Sequence, residues 1–113
     1  MLLLLMEKEW PLDEVVFYDT GMEFRAIYDT RDRVLPILAK KGIAYTELKP
    51  DYGFEWKMFE KPVNGRNGFH LGYSWCGGRC RWGTTDKIAT VERYSRGSCE
   101  YVGIAADEKP RLE

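Results

Sequence analysis

At 113 residues, 44% hydrophobic and 14% aromatic, the chain has the content of one small globular domain and is not a disordered segment or a multidomain assembly. Seventeen Lys and Arg against eighteen Asp and Glu leave a net charge of -1, which excludes bulk attraction to nucleic acid or to an anionic membrane, so any anion binding must be local. Three cysteines are an odd count in a chain with ample apolar residues for a core, pointing to free thiols and a reducing cytoplasm instead of a disulfide framework.

Met1-Leu2-Leu3-Leu4-Leu5-Met6 is too short to span a membrane and has no basic residues before it, as a targeting segment requires. Turning polar at Glu7-Lys8-Glu9, it reads as the last turns of a buried helix. After a turn at Pro11-Leu12-Asp13, the β-branched and aromatic run Glu14 to Tyr18 predicts a buried strand ending at Asp19. Thr20-Gly21-Met22-Glu23 fits a capping box with Thr20 as N-cap and Glu23 reaching back. The helix is expected from Met22 to Lys41, with Ile27, Val34, Leu35 and Leu38 on its apolar face, a kink or break at Pro36, and Gly42 as its stop.

Ile43 to Leu48 predicts a second strand, Phe54 to Glu60 a short helix ahead of Pro62, and Val63 to Gly72, with Asn64-Gly65 and Asn67-Gly68, a loop. A further helix is expected from Thr85 to Ser95 and a third strand from Tyr101 to Ala105, with an exposed tail from Lys109. Strands alternating with helices predict an α/β fold with a mainly parallel sheet, and with no repeats or low-complexity linkers the whole of 1-113 reads as one domain.

Strand, Asp19, Thr20, Gly21, helix is the arrangement with which α/β proteins present ligand groups at the carboxyl end of a sheet. Asp19 can accept a hydrogen bond from a ribose hydroxyl or an adenine amine, and Gly21 admits close backbone approach; the plainer reading is that Asp19 and Thr20 only cap the helix, and the pattern alone favours that cap. The stretch from Tyr73 to Lys87 gathers Gly77, Gly78 and Gly83, a capping Thr84 or Thr85, and the cations Arg79, Arg81 and Lys87. Cations collected against the positive end of a helix call for an anion, phosphate or sulfate; a solvated cationic face is the competing reading.

Cys76, Cys80, Cys99 and His70 could supply four zinc ligands, but the usual Cys-x2-Cys spacing is absent and idle thiols are the better reading. No second group supports a nucleophilic cysteine, and His70 in a glycine-flanked loop is assigned no role. The aromatic residues between Tyr52 and Phe69 alternate with charges; against a nucleic-acid surface, the neutral total charge favours a partly buried cover over the sheet edge. Past the last expected strand, Asp107, Glu108 and Arg111 fall at the same sheet edge as Asp19 if the sheet is parallel.

Phe17-Tyr18-Asp19-Thr20-Gly21-Met22-Glu23-Phe24, the segment Trp75 to Lys87 and the stretch Tyr101 to Arg111, taken together, resemble the phosphoadenosine phosphosulfate (PAPS) reductase family of the adenine nucleotide alpha-hydrolase-like superfamily. Its bacterial and phage members of unassigned substrate, with a Trp-Cys-Gly stretch and a following Arg-Trp, are the most similar. The resemblance implies a three-layer fold with a mainly parallel sheet, and adenine nucleotide as the ligand, with no other cofactor. It places Asp19, Thr20 and Gly21 near adenosine and Arg79, Arg81, Lys87 and Arg111 near a phosphate or sulfate. It also implies a partial domain of about three strands: the family's Ser-Gly-Gly-x-Asp-Ser phosphate loop and central first strand are expected ahead of Leu2, and the family's Glu-Cys-Gly catalytic cysteine has no counterpart. Such a domain is expected to bind nucleotide without reductase chemistry, as an enzyme-family remnant or a non-catalytic binding or interaction module. The sheet edges left open by the missing strand are expected to favour a homodimer.

Overall fold

The computed structural model describes residues 1–72 and 84–103, without the side chains of residues 84–86. Its centre is a β-α-β unit: strand β1 (Glu14–Tyr18), helix α2 (Arg25–Lys41) and strand β2 (Ala44–Leu48), preceded by the short helix α1 (Leu2–Glu7). β1 and β2 pair in parallel, from Glu14 opposite Ala44 to Tyr18 opposite Leu48. The pairing runs one bond past each strand, with Ala44 N–H donating to Asp13 O and Asp19 N–H to Leu48 O. Among the described residues β1 has no other strand partner.

Alternation along the strands divides the side chains between two helices. Phe17 meets Tyr28 of α2 edge to face, and Glu47 meets Arg31. On the other face, Glu14 and Thr46 meet Tyr94 near the end of helix α3 (Thr84–Tyr94). The fold is therefore mixed α/β with helices on both faces of a parallel pair, as alternating elements predict.

The apolar residues expected on α2 do face β1: Leu38 is 1% exposed, and Ile27, Val34, Leu35 and Leu38 line an apolar cavity of about 280 Å³ with Val15, Phe17 and Leu2. Gly42 ends α2 in the left-handed conformation at φ 68°, its N–H and that of Ile43 returning to Ala39 O and Leu38 O.

Several boundaries differ from the sequence reading. α2 begins at Arg25, with Phe24 as its N-cap residue, and not at Met22. Thr20 and Glu23 do interact, Thr20 Oγ1 donating to Glu23 Oε1 at 3.0 Å, but they close the turn before the helix. Gly21 at φ 78° breaks helical geometry there, because its N–H is captured by Asp19 Oδ1. Pro36 does not split α2, which continues to Lys41: packing of Val34, Leu35 and Leu38 on both sides of the proline holds the helix together.

The short helix after β2 contains a π-helical turn, Trp56–Glu60, closed by Lys61 N–H donating to Trp56 O, with Lys57 and Met58 buried. The expected loop from Val63 to Gly72 is a β-hairpin, β3 (Pro62–Gly65) antiparallel to β4 (Gly68–Leu71), whose tight turn is Arg66-Asn67. Tyr101 to Gly103 form no strand; Tyr101 lies against Trp10 with ring centroids 6.2 Å apart, so this stretch follows the α1 end of the fold and not a sheet edge. The rest of that expected strand lies outside the described residues.

Candidate functional site

The carboxyl end of β1 and β2 carries a connected polar network on the α2 face. Asp19, 9% exposed, accepts through Oδ1 from the Tyr28 hydroxyl at 2.6 Å and from Gly21 N–H at 2.8 Å. Its other oxygen, Oδ2, faces Lys49 Nζ at 3.9 Å. Lys49 also reaches Glu47 Oε1 at 3.2 Å, and Glu47 Oε2 accepts from Arg31 and from the Tyr45 hydroxyl, each at 3.1 Å. Residues 45, 47 and 49 lie at alternate positions from β2 onward, the period that delivers side chains to one face.

Burial pushes the Asp19 carboxyl up, but the Tyr28 and Gly21 hydrogen bonds and the charges of Lys49 and Arg31 outweigh it and hold the carboxyl below its ordinary 3.8. Glu47 behaves alike: burial raises it, and Lys49, Tyr45 and Arg31 bring it below 4.5. The Tyr45 phenol is pushed up to about 12 by burial and by the Glu47 carboxylate that it donates to.

A carboxyl depressed in the folded state adds stability that is fully present above its unfolded value and is lost as pH falls through its folded value. We expect the unfolding midpoint to fall as pH is lowered from about 6 to about 2, and Asp19→Asn to flatten part of that fall. Parallel curves for the two proteins in a thermal pH series would show that the Asp19 hydrogen bonds contribute nothing.

Of the residues singled out in the sequence, Asp19, Thr20 and Gly21 sit together in the turn after β1. Asp19 does not cap the helix, which starts at Arg25; its Oδ1 closes the preceding turn and its Oδ2 faces Lys49. Lys87 is exposed on α3, the helix on the opposite face of the sheet from the Asp19 network. Arg79, Arg81 and Arg111 lie outside the described residues, as do Cys76 and Cys80. Cys99 is an exposed free thiol, and among the described residues no group of His, Cys, Asp or Glu could hold a metal ion. No helix among the described residues is long and apolar enough to cross a membrane.

Sequence reasoning missed Tyr28, Arg31, Tyr45, Glu47 and Lys49. The available signal was the charge of Glu47 and Lys49, two positions apart where a buried parallel strand should be apolar. Polar residues at a parallel strand's carboxyl end belong to its ligand edge. No family model, no curated protein and no solved structure matches the chain.

Proposed function

We propose that this chain is a PAPS-reductase-like, adenine nucleotide alpha-hydrolase-like domain that binds an adenine nucleotide bearing a sulfate or phosphate at the carboxyl edge of its parallel strands, without reductive turnover. The observation that carries the reading is the Asp19-Thr20-Gly21 turn. It follows a parallel strand, and Asp19 Oδ1 is committed to Tyr28 and Gly21 while Oδ2 faces Lys49 at 3.9 Å among the described residues. That second oxygen is positioned to accept from a ribose hydroxyl. A Cβ built on Gly21 meets nothing within 4 Å, so a ligand can approach the backbone there. Lys49 supplies a cation at the same edge, and Arg79, Arg81, Lys87 and Arg111 are the proposed anion ligands.

Thermal unfolding with adenosine 5′-phosphosulfate, PAPS and ATP, against inorganic sulfate, tests the proposal. A ligand held only by the folded state stabilises by about 2.7 kcal/mol at a hundredfold excess over Kd. The adenosine compounds should raise the midpoint and inorganic sulfate should raise it less. Arg81→Ala should weaken the response more than Lys40→Ala, which removes a cation from the last turn of α2. No shift at millimolar nucleotide would remove the basis for the proposal.

A further inference from the structure

The β3–β4 hairpin exposes chemistry that the nucleotide reading does not use. Its pairing register places Asn64 opposite Phe69 and Pro62 opposite Leu71. Directly opposed residues share a face, as do alternate residues of a strand, so Pro62, Asn64, Phe69 and Leu71 form one surface. That surface is open: Phe69 is 69% and Leu71 59% exposed. Nearby along the chain, Tyr52 and Phe59 are also exposed, whereas Phe54 and Trp56 are half-buried, so only part of this aromatic region is the partly buried cover that the sequence suggests.

The hairpin carries a local positive charge. Residues 61–72 contain Lys61 and Arg66 and no acidic residue, in a protein whose total charge is -1. Arg66 occupies the tip turn and Lys61 precedes β3, so the cations stand at opposite ends of the ribbon. Among the described residues neither forms an ion pair. Asn64, beside Phe69, offers an amide that both donates and accepts.

An open aromatic ring with an amide next to it and cations at both ends has the composition of a base-stacking platform. Bases stack on such rings irrespective of sequence, and phosphates follow the cations. A two-stranded ribbon provides no groove for the apolar face of a partner helix. A duplex keeps its base faces stacked internally and could use only the cations.

We propose that the β3–β4 hairpin docks single-stranded nucleic acid, with a base stacked on Phe69, the Asn64 amide at a base edge, and Arg66 and Lys61 on the flanking phosphates. This surface is separate from the Asp19 edge and does not depend on the nucleotide reading.

Fluorescence anisotropy with labelled oligothymidine and oligouridine of about twelve nucleotides, a length within single-strand site sizes, tests it. Binding should occur at low salt and weaken as salt rises, with a log–log slope of about -0.7 for each phosphate neutralised. Phe69→Ala should weaken binding about tenfold or more, the range found for removal of one stacking ring, and Phe69→Tyr should restore it. Arg66→Ala should lower the salt slope by about 0.7, and Lys40→Ala should leave both affinity and slope unchanged. Because Phe69 is exposed, its variants should retain the wild-type circular dichroism, which serves as the folding control. Three results would overturn the proposal: no binding at low salt, equal affinity for a duplex of the same length, or displacement of the oligonucleotide by polyglutamate at equal charge concentration. Unchanged affinity in Phe69→Ala would do so as well.

Discussion

Leu38→Ala is expected to lower the unfolding midpoint by on the order of 10 °C, the largest effect of any single truncation on the α2 face. Leu38 is 1% exposed, and no other side chain among the described residues is so completely buried. Removing a buried leucine side chain loses its transfer free energy and leaves a void, about 2 to 5 kcal/mol together. A domain of this size has a total stability of roughly 5 to 15 kcal/mol, so the variant consumes a large share of it. Ile37→Ala is the comparison: Ile37 is 40% exposed on the adjacent helical position, and alanine is the better helix former. Its midpoint should stay close to wild type. Equal losses in the two variants would mean that α2 does not bury the Leu38 side of the helix against β1.

The β-α-β unit was legible because each of its signals is local and they agree. A β-branched run, an apolar stripe of helical period and a stop glycine all describe the same crossover, and Leu38 and Gly42 occupy the positions that the pattern assigns them. The start of α2 differs from the sequence expectation because two local signals compete. Thr20 and Glu23 bond to each other side chain to side chain, and not each to the other's backbone N–H as a capping box requires, and Asp19 takes the Gly21 N–H and shapes a turn that the helix follows from Arg25. The glycines and asparagines of the hairpin point to a loop. Asn-Gly occurs twice, which is also a hairpin signal, and the strands flanking the Arg66-Asn67 turn are too short to show a clear alternation.

The candidate site was legible only at Asp19, Thr20 and Gly21, which are contiguous. Its other members come from α2 and from β2 and the position beyond it, and only the parallel register brings Glu47 level with Phe17, two residues before Asp19. Tyr28 and Arg31 on α2 reach the network one turn apart, Tyr28 on Asp19 and Arg31 on Glu47. Their positions in the sequence carry no mark of that. A tyrosine and an arginine three apart on a helix are ordinary surface residues until a strand end is placed beneath them. The network also gives the turn its rigidity, since Asp19 is held from the strand side by Leu48 O and from the helix side by the Tyr28 hydroxyl.

Gly72→Ala is expected to detach the β3–β4 hairpin from the π-helical turn at a cost on the order of 3 kcal/mol or more. Gly72 sits at φ 76°, where an alanine pays roughly 1 to 2 kcal/mol in backbone strain alone. The larger cost is steric: a Cβ at this position lies 2.0 Å from Met58 O and 2.9 Å from Phe59 Cα, both backbone atoms that no rotamer change can move. Nor can Gly72 retreat, because its own N–H donates to Lys61 O at 2.7 Å and so ties the end of β4 to the start of β3. Either that bond breaks or the π-helical turn, with its buried Met58, shifts. Gly68→Ala separates the two costs. Gly68 is at φ 98° with nothing within 4 Å of a built Cβ, so its variant should show backbone strain without collision. Urea unfolding should give a loss at least twice as large for Gly72→Ala. Hydrogen exchange should show faster exchange across residues 61–72 in that variant, with α2 protected as in wild type. The same variant should lose most of its affinity for single-stranded oligonucleotides, because Phe69 and Arg66 would no longer be held on an ordered ribbon. Equal losses in the two glycine variants would show that the Met58 backbone yields easily, and that the hairpin is not clamped to the π-helical turn at Gly72.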